Sequence, residues 1–135
     1  MGLSSVLKIL ADENRLRILN LIKGGELCVG EISTILGISR SNASKHLEKL
    51  KMAAFISARK DAQWIYYSLK EGLTDEYVFI RALLFDELSK EAAYLADLQK
   101  LSTYRQTGLC CQDLRDAGFD FGKIEETART RAKKG

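Results

Sequence analysis

The chain has 135 residues, of which 46% are hydrophobic and 29% are charged, a composition typical of a single soluble globular domain. Its net charge of +3 is too small to indicate a nucleic-acid partner by itself, so the positions of the charges matter more than their sum. The composition argues against a membrane span and, with only three cysteines, against a disulfide framework. Reduced thiols and the absence of a signal-peptide pattern predict a cytoplasmic location.

Two short helices are predicted at the start of the chain. The first is indicated by an apolar stripe at helical spacing, formed by Leu3, Val6, Leu7 and Leu10. Asp12 is predicted to be the N-cap of the second helix, which ends at Gly24.

A helix-turn-helix arrangement is predicted next. The segment "VGEISTILG" is typical of a short helix closed by Gly37, and Ser39 is the expected N-cap of the following helix, "RSNASKHLEKLK". Two helices joined by a turn of about three residues that contains a glycine form this motif.

The second helix of the motif has an apolar face and a basic face. The side of the helix opposite the apolar stripe carries hydroxyl groups and cations. These residues are Arg40, Ser41, Ser44, Lys45 and Lys49. Hydroxyls can read base edges and cations neutralise phosphate, whereas a merely solvated helix would mix acids with bases. This face predicts double-stranded DNA as a partner. The alternative is a protein-binding wing that never touches DNA.

Strand-forming residues on either side of "ARKDAQ" predict a β-hairpin wing with a basic tip. Arg59 and Lys60 lie in this tip and are expected to contact a phosphate backbone. Since the turn lacks the glycine that tight hairpins prefer, a loop longer than two residues is predicted.

A single long helix is predicted from Thr74 onward. Its apolar stripe consists of Leu73, Tyr77, Ile80, Leu84, Leu88, Ala92, Leu95 and Leu98. At a rise of about 1.5 Å per residue the helix would be roughly 40 Å long, more than so small a domain can cover, so a homodimer is expected. The predicted fold class is mainly α with a small β-hairpin wing. Residues 1–103 are predicted to form the DNA-binding and dimerisation domain, and residues 104–135 a flexible tail.

Four segments together resemble the ArsR/SmtB family of bacterial metal- and metalloid-responsive repressors: "LADENRLRILNLI", "GELCVGEIS", "ILGISRSNASKHLEKLKMA" and "WIYYSL". The resemblance implies a winged-helix homodimer that binds operator DNA and leaves it when an inducer binds. It implies wing contacts by Arg59 and Lys60. By position it also implies groove contacts by Ser41, Asn42, Ser44, Lys45 and His46.

The resemblance also bears on the kind of inducer. Zinc and nickel sensors of the family bind metal through several histidines on the long helix, whereas His46 is the only histidine here. We therefore interpret His46 as a DNA-binding or structural residue. Arsenic and cadmium/lead sensors often carry "ELCVCD", in which Cys28 is matched but the second cysteine is Gly30. Cys28 is either a small buried apolar residue or a third ligand to the inducer.

The motif "TGLCCQDL" places two cysteines side by side, Cys110 and Cys111, in the predicted tail. A disulfide between neighbours would be strained, and soft thiolates select soft ions. The pair therefore predicts a site for trivalent arsenic as inducer, as arsenite or methylarsenite, with antimonite a further candidate.

A redox or persulfide switch is the alternative for this pair. A thiol enzyme is disfavoured, because the chain has no C-x-x-C motif and no base histidine near the thiols. We predict no enzymatic activity and no catalytic cofactor.

Overall fold

A computed structural model describes residues 1–134, with the side chains of residues 1–132. Its helices are α1 (Leu3–Leu10), α2 (Glu13–Ile22), α3 (Val29–Leu36), α4 (Arg40–Met52), α5 (Leu73–Glu76), α6 (Val78–Ala82), α7 (Ala92–Thr107), α8 (Cys111–Asp116) and α9 (Phe121–Lys134). Its strands are β1 (Leu27–Cys28), β2 (Ile56–Asp61) and β3 (Trp64–Leu69). Among the described residues, no helix has the length and apolar character needed to cross a membrane.

The helix boundaries around the helix-turn-helix follow from local capping. The Asp12 carboxylate accepts a hydrogen bond from the Arg15 N–H at 3.0 Å, and the Ser39 hydroxyl accepts one from the Asn42 N–H at 3.0 Å. Gly37 has φ 70° and ends α3 in the left-handed conformation that glycine adopts at little cost. These three predicted boundary residues are confirmed.

The core lies where α2, α3 and α4 pack together and against α7. The apolar face of α4 is completely buried, as its spacing predicts, through Ala43, Leu47 and Leu50. A fully buried leucine contributes about 1.5–3 kcal/mol to stability, so this stripe fixes how α4 sits on the domain.

One ion pair connects three helices of the core. The Arg17 guanidinium donates to both carboxylate oxygens of Asp97, at 2.8 and 2.9 Å, and to the Leu36 carbonyl at 3.0 Å. Asp97 is buried on α7, Arg17 lies on α2, and Leu36 is the last residue of α3. Because Arg17 also satisfies a carbonyl at the end of α3, the pair fixes the helix-turn-helix to α7.

The strands form an antiparallel sheet in the order β1-β3-β2, with Cys28 opposite Tyr66. The sequence pattern did not predict β1, which has only two residues and hence no readable alternation. The predicted long hairpin loop is wrong, because Asp61 pairs with Trp64 and leaves a turn of only Ala62 and Gln63. Ala62 supplies the left-handed conformation (φ 53°) that a glycine would normally provide, at a cost of about 1 kcal/mol.

The single long helix predicted after Thr74 is also wrong. The segment breaks into α5, α6, a π-helical turn (Leu83–Glu87), a short 3-10 turn and then α7. Glu91 adopts an extended conformation, with φ −108° and ψ 131°, at the start of α7. The Lys23 ammonium donates a hydrogen bond of 2.6 Å to the backbone carbonyl of Leu84. This carbonyl lies in the π-helical turn. The interruption of the helix between α6 and α7 is therefore accompanied by a tertiary contact, and the spacing of apolar residues does not reveal such a contact.

Residues 104–135 were predicted to be a flexible tail, and the structure, which describes this segment as far as residue 134, instead shows the end of α7 followed by α8 and α9. Helix α8 packs on α3, and α9 packs along α7. Leu114 and Ile124 are fully buried by this packing. The apolar residues of this segment are too far apart in sequence to form a recognisable stripe, so their burial depends on the surface against which they fold.

Candidate thiol site and nucleic-acid interface

The basic face of α4 is exposed in the folded chain. The exposed side chains are Arg40, Ser41, Ser44, Lys45 and Lys49, while Asn42 is half-buried. Lys60 is exposed on β2. The structure therefore leaves the predicted groove-facing hydroxyls and cations accessible to a partner, and their contact with DNA stays a prediction.

His46 lies on the inner side of α4, against the start of α2. Its Nδ1 atom is 3.5 Å from the Arg15 guanidinium and 3.9 Å from the Asp12 carboxylate. Burial lowers the pKa of His46, and the neighbouring Arg15 lowers it further, although Asp12 opposes the change. Of the two roles predicted for His46, its position supports the structural one and removes it from the groove-facing set.

Arg59 on the wing is paired in the folded chain. Its guanidinium donates to both carboxylate oxygens of Glu26, at 2.6 and 3.1 Å, and lies 3.6 Å from the Asp61 carboxylate. The hydrogen bond from Arg59 lowers the pKa of Glu26, so this carboxylate stays ionised near neutral pH. For Arg59 to contact a phosphate, its hydrogen bonds to the Glu26 carboxylate would have to be replaced by hydrogen bonds to DNA.

Two of the three cysteines meet in space. Cys28 ends β1 and is the N-cap of α3, and Cys111 begins α8. Both are buried, their sulfurs lie within bonding distance as a disulfide, and their Cα atoms are 6.9 Å apart despite a sequence separation of 83 residues. The thiol site, defined here as Cys28 and Cys111, thus joins the first helix of the helix-turn-helix to the C-terminal segment.

A buried carboxylate accompanies the two sulfurs. Glu31 accepts the Cys28 N–H at 2.9 Å and the Tyr104 hydroxyl. Ligand atoms of Cys28, Glu31 and Cys111 all lie within 4.8 Å of one another. Burial, with the hydrogen bond to Glu31, raises the pKa of Tyr104, so its phenol remains a donor. Sequence reasoning gave Glu31 no role in the site, although its position three residues after Cys28 is the spacing of a capping box.

The vicinal pair is divided by the fold. Cys111 is buried beside Cys28, with its sulfur 3.7 Å from the Tyr66 hydroxyl, whereas Cys110 is exposed at the N-cap of α8. The Cys110 N–H donates to the Asp113 carboxylate at 2.8 Å. Of the vicinal pair only Cys110 is exposed, and it is Cys28 that the structure brings to Cys111.

The chain is similar to known bacterial transcriptional regulators. Residues 12–58 match the family model described as "Bacterial regulatory protein, arsR family", a segment that includes Cys28 but not Cys110 or Cys111. The transcriptional repressor SdpR of Bacillus subtilis (strain 168) is 42% identical over 76 residues, which cover 56% of this chain and 84% of SdpR. The arsenic resistance transcriptional regulator ArsR2 of Pseudomonas putida is 36% identical over 93 residues, 68% of this chain and 78% of ArsR2.

A solved structure supports the same assignment. The homodimeric winged helix-turn-helix DNA-binding domain of Mb0332 from Mycobacterium bovis superposes with a TM-score of 0.54 at 29% identity. The match covers 65% of this chain and 82% of that domain. The predicted fold class, mainly helical with a small β wing, is confirmed. From its fold and its relatives, the chain belongs to the ArsR family of bacterial regulatory proteins.

Proposed function

We propose that the chain is a metalloid-responsive transcriptional repressor of the bacterial cytoplasm. It binds operator DNA as a homodimer and is released when trivalent arsenic binds its cysteine thiolates. The observation that carries this proposal is the contact between the Cys28 and Cys111 sulfurs at the start of the helix-turn-helix. A ligand that bridges these sulfurs connects the C-terminal segment to the DNA-binding motif.

The donor atoms fit a thiophilic ligand. Arsenite binds when As–O bonds break and As–S bonds form, and each thiol proton leaves with a hydroxide as water. Cys28 and Cys111 supply two sulfurs, and Cys110, the adjacent exposed residue, supplies the third. Methylarsenite has one position blocked by carbon and needs only the two buried sulfurs. Soft sulfur donors favour such ligands over hard cations, and antimonite shares this chemistry.

The exposed apolar surface supports a dimer. Leu3 and Leu7 on α1 and Val78, Phe79 and Phe85 after the wing are large apolar side chains that remain exposed. A surface of this kind marks an interface, and a two-fold partner would present two α4 helices to a palindromic site. The homodimer is therefore part of the proposal.

Lys45→Ala is expected to weaken binding to every DNA sequence, because a phosphate contact carries no sequence information. The slope of log affinity against log salt should fall by about one unit for each phosphate that the variant no longer neutralises. Ser44→Ala should instead reduce the preference for the operator over random DNA. Fluorescence anisotropy at several salt concentrations measures both, with Lys123→Ala on α9 as a matched control. Equal affinity in Lys45→Ala and the unsubstituted chain would exclude α4 as the phosphate-binding element.

Displacement from DNA by a panel of ligands tests the inducer. We expect arsenite, methylarsenite and antimonite to release the reduced chain at concentrations close to that of the protein. Zinc should be less effective than arsenite, because the Glu31 carboxylate beside the two sulfurs already accepts hydrogen bonds from the Cys28 N–H and the Tyr104 hydroxyl, whereas arsenite needs only sulfur donors. Retention on DNA in the presence of every trivalent arsenical would contradict the proposal.

A thiol redox switch is the second candidate, favoured by the meeting of the two buried sulfurs. Peroxide would oxidise one thiol to a sulfenic acid, and the second thiol would displace water to form the disulfide. Release by peroxide at the concentration at which arsenite acts, reversed by dithiothreitol, would favour this function. Under the arsenic proposal, peroxide should act only at much higher concentration.

A further inference from the structure

Residues 111–119, which we name the α8 segment, contact both helices of the helix-turn-helix and the wing. Helix α8 itself packs on α3. The Gln63 amide in the turn of the wing donates to the Gln112 amide oxygen at 3.2 Å. At the other end of the segment, the Phe119 ring lies under the guanidinium of Arg40, the first residue of α4, with 4.2 Å between the Arg40 Cζ atom and the ring centroid.

The Phe119 ring fits against a glycine of α3. A Cβ atom at Gly30 would lie 2.6 Å from the Phe119 Cε1 atom, a distance that real Cβ contacts do not show. Only glycine at this position leaves room for the ring. Gly30 also stands where the resemblance expects the second cysteine of the family motif, and in this chain that position contacts the Phe119 ring instead.

The position of the Phe119 ring is fixed by the backbone conformation of Phe119 itself. Phe119 has φ 58°, a left-handed conformation that bulky residues rarely adopt, and its N–H donates to the Leu114 carbonyl at 2.8 Å. Leu114 is fully buried, so the turn is attached to the core. Unusual backbone conformations of this kind persist where the surrounding packing holds them.

The contact with Phe119 concerns a residue of the DNA-binding face. A guanidinium that stacks on an aromatic ring turns one of its two planar sides to the ring and away from solvent. The N–H groups that bind a phosphate lie at the edge of the guanidinium, so stacking on Phe119 leaves them free but fixes the direction in which they point. The docked α8 segment therefore restricts how Arg40 can reach a DNA backbone.

We propose that Phe119 couples the thiol site to DNA release. A bridge between Cys28 and Cys111 fixes α8 on α3. The Phe119 ring then packs against Gly30 and holds the Arg40 side chain away from the DNA. When the bridge is open, the α8 segment can leave α3 and Arg40 is free to contact phosphate. The identity of the bridging inducer rests on the proposed function, but the coupling itself holds for any bridge between these two sulfurs.

The test uses the full chain with Cys110→Ser, so that only Cys28 and Cys111 can be bridged. Diamide forms the bridge by taking two electrons and two protons from the thiols, and is itself reduced to the hydrazine. DNA affinity is measured by anisotropy on a duplex selected from random sequence by the reduced chain. We expect the bridge to lower DNA affinity at least about fivefold, within the usual range of coupling between two sites.

Two substitutions should remove the coupling from opposite sides. In Phe119→Ala the ring is absent, and in Gly30→Ala the added methyl group displaces it; in both, the bridged and reduced chains should bind DNA equally. Phe121→Ala and Gly24→Ala are the matched controls, since nothing lies within 4 Å of a Cβ atom at Gly24, and both should retain the full effect. Reduced variants should bind DNA like the parent chain; if Phe119→Ala does not, Phe119→Leu replaces it.

The outcomes separate the coupling from the choice of inducer. A bridged parent chain that binds DNA like the reduced one, or a full effect retained in both Phe119→Ala and Gly30→Ala, would overturn the coupling. Arsenite is added to a parallel set of reduced samples of the chain that retains Cys110. If diamide weakens DNA binding through Phe119 and arsenite does not, the coupling is supported while the arsenic function fails.

Discussion

Cys28→Ser is expected to abolish release from DNA by both arsenite and methylarsenite. Cys28 and Cys111 are the two buried cysteines whose sulfurs meet, so the loss of either sulfur leaves one buried thiol, which cannot chelate. The substitution keeps a side-chain acceptor at the N-cap of α3, so folding and DNA binding should be retained. Displacement titrations by anisotropy, with bound arsenic measured after desalting, separate a loss of ligand binding from a loss of response.

Cys110→Ser is the matched variant for this prediction. Because Cys110 is exposed and supplies only the third sulfur, its loss should weaken the arsenite response and leave the methylarsenite response intact. The vicinal pair predicted from the sequence gives the opposite result. If Cys110→Ser lost the methylarsenite response and Cys28→Ser kept it, Cys110 and Cys111 would be the chelating pair and Cys28 a packed residue.

Asp97→Ala is expected to lower the free energy of unfolding by about 3–5 kcal/mol, the usual cost of removing one partner of a buried ion pair. The Asp97 side chain is only 4% exposed, and its removal leaves the Arg17 guanidinium without its two carboxylate hydrogen bonds. Arg17 also holds the Leu36 carbonyl, so the attachment of α3 to α7 should weaken as well. Urea unfolding followed by circular dichroism measures the change.

A second acid shows what an exposed pair contributes. Glu87 and Lys90 form an ion pair of 3.0 Å whose side chains are 58% and 68% exposed, and such pairs contribute little in water. Glu87→Ala should therefore leave the unfolding midpoint unchanged. A loss below about 1 kcal/mol in Asp97→Ala would mean that Arg17 finds another partner or reaches solvent when the carboxylate is removed.

The helix-turn-helix was predictable because its signals are local. Asp12, Ser39 and Gly37 act within one turn of their own helices, and caps of this kind depend on residues three or four positions away. The burial of Ala43 and Leu47 likewise follows from helical periodicity alone. The family resemblance lies in the same stretch, so the residues of α4 expected to face DNA could be named one by one, although their contact with DNA stays a prediction. Of these residues the structure buries only His46. Its place on the inner face depends on α2, which packs across α4.

The thiol site could not be predicted in the same way, because its parts are far apart in the chain. A pattern of adjacent cysteines favoured Cys110 with Cys111, whereas the fold joins Cys111 to Cys28 across 83 residues. That pairing requires α8 to fold back on α3, which depends on burial of Leu114 rather than on any local periodicity. The sequence by itself determined the four helices α1 to α4 and which face of α4 is basic. Only the tertiary structure decided which thiols meet, because long-range packing selects contacts that no local spacing encodes.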